Sequence, residues 1–345
     1  MTWKMPAYGI GFITAFALSY AGTPAAQAAE SFEGKQIKII HAGSGRGSYA
    51  IYTRVFVRHF GKHVAGNPSV VADFMEGGGG LKGQNYLYNA APKTGLVLGM
   101  PLPSVVTSSM IYPKVTRFVA SGFEWLGNIT QLQTAIGVWK DSPATTIEGV
   151  KKTEVIIGSS GRTSEMSLTP RLMNAVLGTK FKIVEGYKGM GGVNLAMEKK
   201  EIHGRSGGMT AWHPLKLHWF EPENKIAFLA QLGMSPHPAI PEVPLVQSLA
   251  TNDMDRKVLE LMARSTVLTR PVAAPPGVSK DVVGVLVKAY EATVKDPAYL
   301  AEMKKRKMDM IGSMNRAEVI GFIAESEATP REVIERFQKL LGLKG

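Results

Sequence analysis

The segment IKIIHAGSGRGSYAIYTRVFVRHF, residues 37–60, joins a short apolar strand to a helix through a loop of glycine, serine and one arginine. A strand, a Gly-rich loop and an amphipathic helix in this order are typical of α/β proteins. A helix that begins near Ser48 would point its free N–H groups and the positive end of its dipole into the loop. The segment therefore predicts an α/β fold with an anion-binding loop at residues 41–48.

The loop does not match the patterns that bind nucleotides. Gly43, Gly45 and Ser48 approximate GxGxxG, but the third glycine is missing, and so is the acidic residue expected about twenty positions further on. The P-loop pattern, GxxxxGK followed by Ser or Thr, is absent from this loop. We therefore expect a small anion rather than a nucleotide. The alternative is a tight turn whose glycines only allow positive φ.

The later half of the chain repeats this order of elements. EVIIGSS (154–160) is followed by GRTS (161–164), a helix-like segment at 167–178 and a strand-like segment at 180–187. Two such units predict two lobes, each with a mostly parallel sheet flanked by helices, joined by an extended crossover at 120–140. Ligands bind at the carboxyl ends of strands in open α/β sheets, so we expect the two loops to face each other across a cleft.

Composition and charge indicate a globular protein and raise the question of nucleic-acid binding. Of the 345 residues, 45% are hydrophobic and 20% are charged, as in ordinary globular proteins. The formal net charge of +12 raises the question of nucleic-acid binding. However, the sequence has no dense basic stretch with interleaved aromatic residues, and the basic cluster at 304–307 fits a solvated helix face. We therefore expect that the protein binds no nucleic acid. We also expect a monomer.

The first residues have the pattern of a secretory signal peptide. Lys4 is the only charge before Glu30, and the apolar run at 7–21 is too short to span a bilayer comfortably. Small residues then stand in AQA (26–28), where a signal peptidase reads them. We predict removal of residues 1–28, which places the mature protein outside the cytoplasm; a retained membrane anchor is the weaker alternative.

Six segments, spread in order over nearly the whole mature chain, match the pattern of a known family. They are the Gly-rich loop after the first strand, GNPSVVADFMEGGGGLKGQNYLYNAAPKTG (66–95), GSSGRTS (158–164), YKG (187–189), PEVPLVQSL (241–249) and APPGVSKDVVGVLVKAYEATVKDPAYLAEM (274–303). With these segments the chain resembles the periplasmic substrate-binding receptors of tripartite tricarboxylate transporters, also called the Bug family. The resemblance implies a type II periplasmic-binding-protein fold, with two α/β lobes around a hinge and the ligand in the cleft. Lobe 1 would comprise residues 29–131 and 233–345, and lobe 2 residues 132–232.

The candidate ligand-binding residues come first from the two loops and from the ends of strand-like segments. The loops contribute Ser44, Gly45, Arg46, Gly47, Ser48, Tyr49, Ser159, Ser160, Gly161, Arg162, Thr163 and Ser164. The strand ends contribute Ser104, Gln131, Tyr187, Lys188 and Gly189. Tyr187 either stacks on or hydrogen-bonds the ligand, or packs at the hinge.

The resemblance adds two more groups of candidates. It places Gly78 and Gly79 beside the first lobe's site, and Thr210 and Trp212 where family members touch the variable end of their ligand. An aromatic side chain there would favour a ligand with an aromatic body; the alternative is that Trp212 belongs to the core.

The resemblance also implies that backbone amides, hydroxyls and bridging waters of the two loops grip a carboxylate. This chain departs from the common pattern, since Ala50 replaces an acidic residue and each loop has an arginine, Arg46 and Arg162. Arginine can grip a carboxylate with two parallel hydrogen bonds. One guanidinium in each lobe would suit a dicarboxylate, unless both side chains turn outward and serve solubility.

These observations together predict a periplasmic solute receptor without enzymatic activity, cofactor or metal. It would bind a small organic anion, a carboxylate or dicarboxylate, and deliver it to the membrane subunits of a tripartite tricarboxylate-type transporter. One rival is a secreted serine hydrolase that uses Ser159 or Ser160 beside His203 or His213. The chain has no GxSxG elbow and no cysteine, and His59 and His63 lack the glutamate of HExxH. The other rival is a sensor of the same fold that signals to a sensor kinase.

Overall fold

The computed structural model of the chain describes residues 1–3, 31–162, 164–212, 216–308 and 310–342. The predicted signal-peptide cleavage site and nearly all of the signal peptide lie outside these ranges, as does Thr163. In the described ranges, no helix combines the length and the apolar character needed to cross a bilayer.

The described residues form eleven strands in two sheets. The strands are β1 (Gln36–His41), β2 (Ser69–Phe74), β3 (Val97–Met100), β4 (Glu124–Asn128), β5 (Thr134–Trp139), β6 (Val155–Gly158), β7 (Phe181–Val184), β8 (Gly204–Gly208), β9 (Ile226–Leu232), β10 (Pro271–Ala274) and β11 (Met314–Asn315). The first sheet has the order β11-β4-β10-β3-β1-β2, and the second has the order β7-β6-β8-β5-β9. The predicted α/β class with two sheets is confirmed.

The strand directions are mixed, which corrects the prediction of mostly parallel sheets. β1 runs parallel to β2 and β3, and β6 runs parallel to β7 and β8. β10 is antiparallel to β3 and β4, and β5 is antiparallel to β8 and β9. The reason is the route of the chain, because β5 and β10 enter their sheets directly from the other sheet. Such a strand enters at the end of the sheet where its parallel strands finish, and it therefore runs in the opposite direction.

Helices cover the faces of both sheets. They are α1 (Ser48–Phe60), α2 (Leu81–Asn89), α3 (Ser108–Ile111), α4 (Ile147–Lys152), α5 (Glu165–Leu177), α6 (Gly189–Glu198), α7 (Met209–Trp212), α8 (Asp253–Arg264), α9 (Lys280–Lys295), α10 (Pro297–Lys305), α11 (Arg316–Glu327) and α12 (Arg331–Leu340). Local chemistry sets several starts: Ser279 caps α9, and Asn315 and Glu318 form a capping box on α11.

Alternating residues of β1 pack into cores on opposite faces of the first sheet. Ile39 contributes to a core with Phe56 of α1 and Leu286 of α9. Ile40 contributes to the core on the other face, with Ile323 of α11. Because both of its faces are buried, β1 is fixed in the sheet. His41 and the loop that follows are therefore also fixed, at the carboxyl end of this strand.

The second sheet packs against helices from distant parts of the chain. Ile157 of β6 shares a core with Leu172 of α5, and also with Val258 of α8 and Phe337 of α12. Helices within 233–345 thus contribute to this core. The lobe boundaries stated above stay a prediction.

Two chain segments that cross between the sheets run side by side. The N–H of Ile129 donates to the carbonyl of Arg270 over 3.0 Å, and the N–H of Leu132 donates to the carbonyl of Thr266 over 3.0 Å. The hydroxyl of Thr269 donates to the carbonyl of Thr130 over 2.7 Å. The predicted extended crossover at 120–140 is therefore two strands, β4 and β5, joined by a short segment that is tied to the returning chain.

Candidate functional site between the two lobes

The first loop presents uncapped backbone amides. Gly47 precedes α1 with φ of 83°, a backbone conformation that favours glycine, and no side chain caps the helix. The first turn of α1 contains no acidic residue. The guanidinium of Arg54 holds the loop in place, since its Nη2 donates to the carbonyl of Gly45 over 2.8 Å. The amino end of α1 is therefore free to attract an anion.

The second loop is built differently. The hydroxyl of Ser164 caps α5 by accepting from the N–H of Met166 over 3.3 Å. Ser159 is buried, and its hydroxyl bonds with Gly161 within the loop. The next residue after the cap, Glu165, places a carboxyl group at the helix start.

Three hydroxyl groups hold the carboxyl group of Glu165. Its Oε1 accepts from Ser206 over 2.7 Å, from Thr169 over 3.0 Å and from Thr134 over 3.2 Å. These donors lie on β8, α5 and β5, so three elements fix the position of the side chain. Burial raises the pKa of this carboxyl group, against the effect of the three hydrogen bonds.

The pKa of Tyr49, in the first lobe, depends on charges from both lobes. Tyr49 is in the first turn of α1, and burial raises the pKa of its phenol, although the charge of Arg270 acts in the opposite direction. The charge of Glu165, from the other lobe, adds to the increase in the pKa of Tyr49. Such an effect requires short range, because charge interactions are screened over longer distances. Tyr49 and Glu165 both keep some exposed surface, and the region between these two residues is called the crevice below.

Arg270 occupies the first lobe's side of this crevice. Its side chain is 1% exposed, and its Cζ atom lies 3.4 Å from the ring centre of Tyr49 and 4.6 Å from that of Tyr52. Nη1 donates to the carbonyl of Thr269 over 2.9 Å and Nη2 to the hydroxyl of Ser48 over 3.4 Å. Nε has no partner, and among the described residues no carboxylate forms an ion pair with Arg270.

His41 completes this side of the crevice as a neutral group. Burial, followed by the charge of Arg270, lowers the pKa of His41 to about 4. The imidazole stacks on Tyr49 with 5.8 Å between ring centres. A neutral imidazole beside Arg270 leaves the guanidinium as the charge on this wall.

Arg205 is the corresponding cation of the second lobe. It is 0% exposed, and its Cζ atom lies 3.6 Å from the ring centre of Trp212. Nη2 donates to the carbonyl of Ala211 over 2.7 Å, whereas Nε and Nη1 have no partner in the part of the chain that the structure describes. Burial lowers the pKa of Arg205 to about 9, and the charge of Glu165 opposes that decrease. Within the described residues Arg205 has no ion pair.

The candidate residues of the sequence analysis lie in several environments. Arg46 and Arg162 are exposed on the loops, as are Gly47, Lys188 and Gly189. Trp212 is fully buried in the core of the second lobe, where its Nε1 donates to the carbonyl of Gly207 over 3.1 Å. Gly78 and Gly79 are also exposed. Partly exposed positions are Ser44, Gly45, Ser48, Tyr49, Ser104, Gln131, Ser160, Gly161, Ser164 and Tyr187.

Contacts group some of these residues and separate others. The hydroxyl of Ser104 donates to the carbonyl of Gly79 over 3.2 Å, which joins two candidates of the first lobe. Gln131 pairs with Ile311 at the crossover, where its side chain fills the space above Gly312. Thr210 is buried, and its hydroxyl has no hydrogen-bond partner among the residues described.

Sequence reasoning missed three charged residues described above, Arg205, Arg270 and Glu165. Arg270 had a signal, because it is the one charged residue within the strand-like segment TVLTRPVAA (266–274). Glu165 follows Ser164 at a helix start, where an acidic residue is common and attracts little notice.

Within the described residues, neither Ser159 nor Ser160 forms the hydrogen bond to a histidine that the hydrolase alternative predicts. Ser159 bonds with Gly161, and Nδ1 of His203 accepts from the N–H of Ile156 over 2.9 Å. His213 lies outside the described residues. Among the residues that are described, no three His, Asp or Glu side chains lie together in a way that could hold a metal ion.

Comparison with solved structures supports the same architecture. Periplasmic binding protein BugD has 18% identity and a TM-score of 0.67, over 90% of this chain and 98% of that one. An R. palustris protein with adipate has 18% identity and a TM-score of 0.65, over 89% and 97%. MatC from Rhodopseudomonas palustris with bound malate has 14% identity and a TM-score of 0.65, over 89% and 99%. At these identities the likeness shows the two-lobed fold.

Sequence comparison identifies the family. No curated protein sequence matches the chain. The family described as tripartite tricarboxylate transporter family receptor, TctC, matches residues 54–339, which is most of the chain. Members of this family are solute receptors and not enzymes. The chain therefore belongs to the TctC family of receptors, as the resemblance predicted.

Proposed function

We propose that this receptor works in the periplasm, where it binds a small organic anion, a carboxylate or dicarboxylate, between its lobes. It then delivers the anion to the membrane subunits of a tripartite tricarboxylate-type transporter. The observation that carries the proposal is a pair of buried guanidinium groups, one in each lobe. Among the described residues neither Arg270 nor Arg205 has an acidic partner within ion-pair distance.

A buried cation without a counter-ion is costly. Taking a charged group out of water costs several kcal/mol, even after relaxation of the protein. The aromatic rings beneath each guanidinium recover only part, about 0.5–2 kcal/mol for each cation–π contact. An anionic ligand would supply the missing partner, so these arginines favour the closed, liganded state.

The interactions are strong enough for a receptor. A hydrogen bond to a charged group contributes about 1.5–3 kcal/mol, and a helix terminus contributes about 0.3–2 kcal/mol. With two such hydrogen bonds to each guanidinium, these bonds and the amino end of α1 together contribute about 6–14 kcal/mol. The upper part of this range exceeds the roughly 8 kcal/mol that micromolar affinity requires and leaves free energy for lobe closure. Adipate and malate in two proteins of the same fold are in keeping with this ligand class.

The predicted loop residues have a second role in this proposal. Arg46 and Arg162 are exposed beside the crevice, where they would attract an approaching anion. The amides and hydroxyls of residues 44–49 and 159–164 would then contact the ligand directly or through water. Trp212 would act through Arg205, on which it stacks, and the nature of the ligand's body is therefore left to other side chains.

The test is calorimetry and thermal shift on the mature chain, residues 29–345, with mono-, di- and tricarboxylates and aromatic acids. We expect one or more carboxylates to raise the melting temperature and to bind with micromolar or tighter affinity. Absence of binding by every acid, together with hydrolysis of an ester, would overturn the receptor proposal. Delivery is tested by transport in vesicles that contain the membrane subunits, with and without this chain.

A further inference from the structure

A triangle of hydrogen bonds fastens the beginning of α5 to the end of β7. The hydroxyl of Ser167 donates to Oε1 of Glu185 over 2.7 Å and accepts from Nε of Arg171 over 3.0 Å. Nη2 of Arg171 donates to the same Oε1 over 2.8 Å, which makes an ion pair. Glu185 directly follows β7, so one carboxylate oxygen joins this strand end to two successive turns of the helix.

The backbone on either side of Glu185 holds the start of the second loop. The N–H of Ser159 donates to the carbonyl of Val184 over 2.8 Å, and the N–H of Tyr187 donates to the carbonyl of Ser159 over 3.3 Å. The second loop therefore leaves this strand end at Ser159. Its helix is fastened to the same strand end at Ser167, through the side chain of Glu185. The residues before and after Glu185 thus fix one end of the loop, and its carboxylate fixes the other.

Neither helix capping nor a surface ion pair accounts for this carboxylate. Ser164 already caps α5 through its hydroxyl. An exposed ion pair contributes little to stability and needs only two partners. Here the acceptor also takes the hydroxyl of Ser167, which is 0% exposed and would be costly to leave without a partner. Burial acts to raise the pKa of Glu185, but the hydrogen bonds from Ser167 and Arg171 outweigh it and lower that pKa. An ionised acceptor makes the stronger hydrogen bonds.

We propose that Glu185 is a positioning residue for ligand binding: through Ser167 and Arg171 it holds the second loop in the arrangement that receives the anion. This inference rests on the proposed function, in which the amides and hydroxyls of residues 159–164 contact the ligand. A site that is competent for only a fraction of the time loses affinity in proportion to that fraction. Glu165 ties the same helix start to β5 and β8, so loss of the triangle should loosen the loop without unfolding the lobe.

The experiment combines calorimetry with hydrogen–deuterium exchange of the amides of residues 159–167 in the empty protein. The probe is malate, adipate or citrate, whichever binds the unmodified protein most tightly. Glu185→Ala removes the shared acceptor, so we expect affinity to fall about 5- to 10-fold and the loop amides to exchange at least threefold faster. Glu185→Gln keeps an oxygen that can accept from Ser167, and should recover the affinity to within about threefold.

Two further variants separate positioning from stability. Ser167→Ala removes the hydroxyl at the centre of the triangle and should weaken binding to a similar extent. The double variant with Glu185→Ala should lose no more than either single variant, because both break the same link. The matched control is Glu154→Ala, which removes an ion pair with Lys182 at the opposite end of the β6–β7 pair. It should change neither the affinity nor the exchange of the loop.

The outcomes distinguish this proposal from the proposed function. An affinity within twofold of the unmodified protein in both Glu185→Ala and Ser167→Ala would overturn the positioning role and leave the proposed function intact. A lower melting temperature of these variants with unchanged affinity would likewise assign the triangle to stability alone. If Glu185→Ala does not fold, Ser167→Ala decides, since it removes a single oxygen atom. No binding of any of the three acids to the unmodified protein would count against both proposals.

Discussion

The two Gly/Ser loops have similar sequences, but the helices that follow them start with different charges. The first loop precedes a helix with no capping side chain and no acidic residue in its first turn. The second precedes a helix that Ser164 caps and that begins with Glu165. Each lobe also buries one arginine without an acidic partner among the described residues. From this difference we expect the first lobe to bind any anion and the second lobe to select among anions.

The strongest test of this comparison removes the cation of the first lobe. Arg270→Met should weaken binding of the best carboxylate by about 100-fold, because loss of a buried charged partner costs about 2–5 kcal/mol. The loss should be similar for every acid that binds, since this lobe does not discriminate. Calorimetry measures the affinities, and Arg331→Met is the matched control, since its side chain is 91% exposed on α12. An affinity within threefold of the unmodified protein would remove Arg270 from the site.

The cation of the second lobe should show a smaller loss of affinity and a gain in stability. Arg205→Met removes a fully buried guanidinium with unpaired Nε and Nη1, while it keeps a long side chain against Trp212. Replacing a buried charge by an apolar group of similar volume is often stabilising, so we expect the empty protein to melt about 2–5 °C higher. Binding should weaken about 10- to 50-fold. Thermal unfolding without ligand and calorimetry with ligand measure the two effects. A lower melting temperature together with unchanged affinity would assign Arg205 to the core alone.

The effect of Glu165 on the stability of the empty protein should depend on pH. Its folded-state pKa is raised, so the folded protein binds this proton more tightly than the unfolded chain does. The resulting penalty is absent below the unfolded pKa of about 4.3, grows as the pH rises, and is complete above the folded pKa. Glu165→Gln should therefore raise the melting temperature of the empty protein at neutral pH by about 1–3 °C, and the gain should vanish near pH 4.

Melting curves of both proteins between pH 4 and pH 8 measure this difference, and the control is Glu148→Gln, which changes an exposed acid in the first turn of α4. A gain that is constant over this range would show that hydrogen bonding, not charge, causes it. A loss of stability at neutral pH would show that the three hydroxyl bonds outweigh the cost of burial.

The fold and the loops could be predicted because they depend on local patterns. The strand, Gly-rich loop and helix at 37–60 appear as β1, the loop and α1, and Ser48 is the first helical residue. The capping of α9 by Ser279 and of α11 by Asn315 also follows from nearby residues. Strand direction was harder, because it depends on which lobe the chain comes from.

The buried charges of the site could not be predicted in the same way. Arg270 reaches Ser48 across 222 positions of the chain, and Arg205 stacks on Trp212 only because β8 turns into α7. The hydroxyl groups that donate to Glu165 come from three elements that no local sequence pattern connects. The arginines that the sequence places in the loops, Arg46 and Arg162, are exposed. A loop position thus indicates nearness to a site, whereas the direction of a side chain depends on tertiary packing.

These exposed arginines should have the smallest effects of all. Arg46→Ala and Arg162→Ala should each weaken binding by about two- to threefold, because charges in water interact through a high dielectric and are screened by salt. The effect should appear in the association rate and shrink between low and high salt, while the melting temperature of the empty protein stays nearly unchanged. Stopped-flow association at two ionic strengths measures this, with Arg331→Ala as the exposed control. Unaltered rates in both variants would mean that neither guanidinium faces the approaching anion. A loss as large as that of Arg270→Met would instead mean that the loop arginines fold inward when the lobes close on the ligand.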